Sequence, residues 1–330
     1  MMRYADLLKR TDAPAGSSWG LFGADDELGT VNYLTPERVV DAGRSIRRGA
    51  TFNLDCHLTI FDPPTSHQRK PMKHNIFAIH PHHRDDCLDS YYLQSGSQID
   101  SLRHLRHPVH GFYNGAPDDS IAVGTARNGI SRYAEHGMVG RGLLLDVDRY
   151  LRAQGKPLDH RAGEAFSHEV LDATARAQNS PLKPGDIVMI RSGFLHHYFH
   201  ELSQEERENF PKGARSAGLV QSHDSLAWLW DNQISVIAAD NPGVEAVPPV
   251  ADSPFFKEIA GTPGVPSDFV ARLMHPYMIA MLGLALGELW DLDKLAEDCA
   301  RDGVYECFVS LKPLNLIGGV GSPANGVAIK

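Results

Sequence analysis

Four cysteines in 330 residues, Cys56, Cys87, Cys299 and Cys307, are too few for a disulfide scaffold, and no two fall in a C-x-x-C pair. The thiols fit a reducing compartment. No stretch of ~18 apolar residues is present, and the opening MMRYADLLKRTDAPAG lacks the apolar core of a signal peptide. The expectation is a cytoplasmic protein with no membrane partner. No basic block occurs, and 41 acidic residues against 32 Lys and Arg give a net charge of −9, so the electrostatic footprint of a nucleic-acid binder is missing. Also missing are a Gly-x-Ser-x-Gly elbow, a phosphate loop and a dinucleotide fingerprint. What is present is an ordinary globular balance, 42% hydrophobic and 22% charged. Histidine stands apart: seventeen residues, clustered, about double a usual share, which points to metal or acid–base chemistry.

The chain alternates in character. Thr35-Pro36-Glu37 reads as a helix cap with Pro at the first helical position, predicting a helix that stops near Gly49. ATFNLDCHLTI alternates as a strand, residues 62–74 read as a Pro-rich loop, and short strands are expected at 77–79 and 90–93. Buried strands are expected at 142–147, 187–190 and 234–239, with helices over 167–177 and 222–232 between them. Residues 242–268 carry six prolines and read as an irregular surface excursion. A long helix from His275 to Leu289 and a closing strand within 304–317 complete the reading. Strands separated by helices predict an α/β fold. Without a clear linker, one domain is expected over 25–330, after an N-terminal extension at 1–24.

The densest polar constellation is QSGSQIDSLRH, with Gln94, Gln98, Asp100 and His104 around a small Gly-Ser turn. Two carboxamides, a carboxylate and an imidazole can orient a carbonyl and a water; the same residues can equally form a self-satisfied polar loop. Other clusters are plainer. His80, His82 and His83 suit a solvated loop. His196, His197 and His200 lack an accompanying H-E-x-x-H pattern. Trp228 and Trp230 suit the core, and Cys56 beside His57 is no nucleophile signature.

This stretch resembles the signature H-x-G-T-H-x-D-x-x-x-H of the cyclase family, which includes bacterial kynurenine formamidase and isatin hydrolase. Aligned without a gap, the two leading histidines fall on Gln94 and Gln98, the Thr on Ser97, the Asp on Asp100 and the last His on His104. DDELGTVNYLTPERV, FYNG, PGDIVMIRSGF, the segment at Asp240, GELWDLDKLA and GGVGSPAN resemble further family landmarks. The resemblance implies a swivelling β/β/α-type α/β fold and a homodimer or homotetramer. It implies hydrolysis of a small amide, lactam or lactone, with His104 as general acid/base, Asp100 orienting it or a metal, and Gln94 and Gln98 holding the carbonyl. Ser97, Tyr91 and Tyr113, with Phe112, are the implied substrate contacts. In metal-dependent members the two histidines and the aspartate bind a divalent ion. A carboxamide is a weaker ligand than imidazole, so weak or absent metal binding is expected here. A second implied position shares Asp100 with His275 and Glu288 and would hold a single Zn or Mn. On one straight helix those last two lie about 140° apart, so they meet only if His275 enters the helix or it bends near Gly283 or Gly287. Two other outcomes fit the loss of the metal histidines: a metal-independent lyase, dehydratase or cyclisation enzyme, and a non-catalytic small-molecule binder.

Overall fold

The structure, a computed structural model, describes residues 2–264 and 268–330. Its centre is four parallel strands: Met138–Asp146, Ile187–Arg191, Val236–Ala239 and Ala285–Glu288. Their near-continuous burial explains their unbroken apolar sequence, because a parallel sheet is covered on both faces. Antiparallel strands extend it on both sides. Glu306–Leu311, Gly326–Ile329 and Thr51–Asn53 follow outward from Met138–Asp146, while Gln98–Asp100 and Gly321–Ser322 follow from Ala285–Glu288. The result is a single-domain mixed α/β fold with one nine-stranded sheet. One large apolar cluster packs on each face.

The expected helices form at Pro36–Gly43, His168–Ala177 and His223–Asp231. Thr35 and Ser222 accept from the backbone N–H groups of Arg38 and Ser225 at the cap positions. The first helix stops at Gly43 rather than near Gly49, where Ser45 Oγ donates to the Ala42 carbonyl and turns the chain. Residues 90–93 are not a strand. The strands of that region are Lys73–His80 and His83–Asp89, a hairpin whose turn carries the histidine cluster, exposed as expected. The Pro-rich excursion contains a helix at Pro254–Ile259; residues 265–267 of it lie outside the described residues. Residues 2–24 lie on the domain: Tyr4 and Leu7 are buried in its core, and Trp19 Nε1 donates to the Ala280 carbonyl at 2.7 Å.

The helix expected over 275–289 does not run its length. One π-type turn at Tyr277–Met281 ends at Gly283, and Ala285–Glu288 is a strand. Gly283 has φ +66°, and a Cβ there would lie 2.4 Å from the Tyr113 ring. Only glycine permits this reversal. An apolar run of this length satisfies a buried helix or a buried strand equally, so its sequence could not decide between them.

Candidate active site

The register between Gln98–Asp100 and Ala285–Glu288 builds the site. Gln98 lies directly opposite Glu288, and Asp100 opposite Leu286. With the two-residue period of a strand, Gln98, Asp100 and Glu288 share one face. Ile99 and Gly287 take the other, where Gly287 makes room for Trp290 and Trp290 Nε1 donates to the Gln98 carbonyl at 2.9 Å. The reversal at Gly283 sends the strand back past its own helical turn. His275, at the entrance of that turn, therefore meets Glu288, with Nε2 3.0 Å from Oε1.

Two hydrogen-bonded chains result. In the first, Gln94 Nε2 donates to Asp100 Oδ1 at 2.5 Å and lies 3.1 Å from His104 Nδ1. His104 Nε2 lies 3.9 Å from Asp100 Oδ2, too far for a hydrogen bond, and that oxygen is buried without a partner. In the second, Gln98 Nε2 donates to Glu288 Oε2, Glu288 meets His275, and His275 Nδ1 lies 2.5 Å from Glu245 Oε1. Gln98 Oε1 is a second buried oxygen without a partner. Asp100 and Glu245 are fully enclosed, whereas the His104 side chain keeps 26% of its surface open, so the site opens on the His104 side.

The charges are coupled. Burial alone would push His275 down, but its contacts with Glu245 and Glu288 override this and hold it well above the usual histidine range. Burial would likewise raise Glu288, and His275 lowers it instead. Asp100 is raised by burial, against the pull of His104. A carboxylate oxygen of Asp100, a ring nitrogen of His275 and a carboxylate oxygen of Glu288 lie within 4.8 Å of one another. With the partnerless oxygens of Asp100 and Gln98 beside them, this donor set fits a small divalent cation.

Six expected residues thus come together: Gln94, Gln98, Asp100, His104, His275 and Glu288. Their arrangement corrects one expected role. Each glutamine amide donates to a carboxylate rather than presenting itself to a substrate carbonyl. Ser97 is also occupied, since its hydroxyl donates to the Leu289 carbonyl and accepts from the Cys56 N–H. Tyr113 is fully buried against Gly283 with its hydroxyl on Asp26, which makes it a core residue rather than a substrate contact. Tyr91 is half-buried, and its hydroxyl has no partner. Phe112 lies under the Arg106 guanidinium. Burial pushes the Cys56 thiol up to about 12, which agrees with its not being a nucleophile.

Sequence reasoning missed Glu245 and Arg69. Glu245 accepts from the Met274 and His275 N–H groups as well as the His275 ring. Its only signal was an acid inside a segment read as surface. Arg69, within the Pro-rich loop, donates to the Gln94 carbonyl, and its charge helps lower Glu288.

The Cyclase family model matches residues 61–246. A crystal structure described as a novel cyclase is 31% identical, with TM-score 0.80 over 95% of this chain and 99% of that one. Isatin hydrolase A from Ralstonia solanacearum is 16% identical, with TM-score 0.55 over 90% and 98%. Isatin hydrolase A from Labrenzia aggregata, bound to benzyl benzoate, is 15% identical, with TM-score 0.54 over 88% and 97%. No curated protein matches the sequence. Among the described residues no helix is long and apolar enough to cross a membrane.

Proposed function

The chain belongs to the Cyclase family of enzymes, and on that premise we propose that it hydrolyses a small amide, lactam or lactone. The observation carrying this reading is the partly open His104 imidazole, held through Gln94 against the buried Asp100 carboxylate at the edge of the His275–Glu288 pair. With Gln94 donating to Nδ1, His104 carries its proton on Nε2. That proton faces the gap beside Asp100 Oδ2 and goes to the leaving nitrogen or oxygen. The attacking water gives its proton to the partnerless Asp100 Oδ2, which passes it to His104 Nε2 as that nitrogen protonates the leaving atom, so that the imidazole ends neutral and the carboxylate ionised. Gln94 fixes the imidazole and the carboxylate in register, and Gln98 does the same for Glu288. Asp100, His275 and Glu288 would hold a single divalent ion such as Zn or Mn. When bound, such an ion would polarise the carbonyl and claim Asp100. His104 then remains the free proton carrier.

The test is turnover of a panel of lactams, lactones and N-acyl aromatics, isatin included, in ¹⁸O-labelled water. One ¹⁸O per product molecule supports hydrolysis. Turnover without label supports the lyase or cyclisation reading, and ligand binding without turnover supports a binding protein.

A further inference from the structure

Arg69 belongs to a loop that the fold holds down. Phe61, where the loop begins, is buried in one aromatic cluster with Tyr198 and with Leu289, the residue after Glu288. Pro64 is buried as well, and Arg69 N donates to the Ser66 carbonyl at 3.1 Å, closing a turn. From that turn the half-buried Arg69 side chain reaches the Gln94 carbonyl, 25 residues further along the chain.

The bond to Gln94 uses Nη1 alone. Nε and Nη2 have no partner, and no carboxylate of the described residues forms an ion pair with this guanidinium. Those two nitrogens make up its side-on edge, a pair of parallel N–H groups that matches the two oxygens of one carboxylate. The two arginines flanking His104 are engaged elsewhere. Arg103 donates to the Ala122 and Thr125 carbonyls, and Arg106 pairs with Asp118 at 2.7 Å.

The free edge lies at the candidate site. Gln94, whose carbonyl Arg69 holds, is the residue whose side chain bridges Asp100 and His104. The Arg69 charge also reaches Glu288 and helps lower it. Glu288 is itself satisfied by His275 and Gln98, so it does not occupy the edge. A planar cation with two unused donors beside an open site, and no anion of its own chain to meet, has them available to a bound molecule.

We infer that Arg69 determines specificity: its Nε and Nη2 groups bind a carboxylate that the substrate carries in addition to the bond to be cleaved. The inference deepens the hydrolase reading and rests on it for calling the bound molecule a substrate. It narrows small amides, lactams and lactones to those that also bear an acid group. Arg69 moves no proton in this role; it fixes where the substrate lies relative to His104.

Calorimetric titration with 2-, 3- and 4-acetamidobenzoate, each compared with the corresponding acetamidobenzamide, tests it. The isomers place the charge at different distances from the acyl group, and each amide has nearly the shape of its acid without the charge. Titrations use the His104→Asn background, so that binding is not followed by turnover. At least one acid should bind about 10–100-fold tighter than its amide, as a charge-assisted bidentate contact provides. Adding Arg69→Gln should abolish that preference and leave the amide affinity unchanged. Adding Arg69→Lys should keep only part of it, because an ammonium is a point charge without the fork. The proposal is overturned if no acid binds or if every acid binds only as well as its amide. A preference that survives Arg69→Gln overturns it too. So does an equal loss of acid and amide affinity in Arg69→Gln, since Arg69 would then merely hold Gln94 in place. Failure of the hydrolase reading looks different. An Arg69-dependent preference without ¹⁸O-labelled turnover keeps the carboxylate subsite and removes hydrolysis, whereas labelled turnover without the preference removes the subsite alone.

Discussion

Replacing Glu245 by glutamine isolates the contribution of a residue that keeps the site assembled without facing its opening. Its fully enclosed carboxylate accepts from Met274 N at 2.7 Å, His275 N at 2.9 Å and His275 Nδ1 at 2.5 Å. Glutamine has nearly the same shape, but one of its two positions is an N–H donor. Either orientation leaves at least one buried backbone N–H facing another donor, a loss of about 1–3 kcal/mol. The charge beside His275 also disappears, and breaking a buried pair by removing one partner costs about 3–5 kcal/mol in all. We expect Glu245→Gln to be destabilised by about 3–5 kcal/mol, read by urea unfolding at pH 7 as a lower midpoint at unchanged slope. A loss under about 1 kcal/mol would refute the reasoning, since His275 would then not depend on Glu245 for its place.

Other expectations follow from the same geometry. Gly283→Ala combines a left-handed backbone with a Cβ 2.4 Å from the Tyr113 ring, so it should lose about 3 kcal/mol or more in the same assay. Neutral His160 accepts from Ala217 N and bonds the Ser192 carbonyl through Nε2; burial, then His197, pushes its pKa from 6.5 down to about 4. The unfolded chain takes up that proton first. The stability present above pH 6.5 is therefore lost as pH falls towards 4, about 2 kcal/mol of it by pH 5. His160→Gln should remove that share of the difference between unfolding at pH 7 and pH 5; an unchanged difference would contradict it. Gln94→His/Gln98→His replaces two carboxamides by imidazoles around Asp100. Calorimetric titration with Zn should then show at least ~10-fold tighter binding than wild type, and equal affinity would mean the glutamines do not limit metal binding.

The parallel strands were legible because each is a short apolar run flanked by turn residues, and the helices at 168–177 and 223–231 because a serine precedes each at its cap position. The Gln94–His104 half of the site was legible because its residues sit close together in one motif. The meeting of His275 with Glu288 was not, because it depends on the reversal at Gly283, and that glycine is required by the Tyr113 ring, which arrives from a distant part of the chain. Glu245 was hidden for the same reason, since its three donors come from residues 274 and 275. Ser97 and Tyr113 were misplaced because a motif gives proximity along the chain but not which hydroxyl the fold has already engaged.

The central claim is that His104 moves the proton. It is tested most directly by the kcat/KM of His104→Asn on whichever panel substrate the wild type turns over, with folding checked by circular dichroism. The expected loss is about 10²–10⁴-fold, the usual contribution of a positioned acid–base group. Activity within tenfold of wild type would contradict the account and assign the proton to another group.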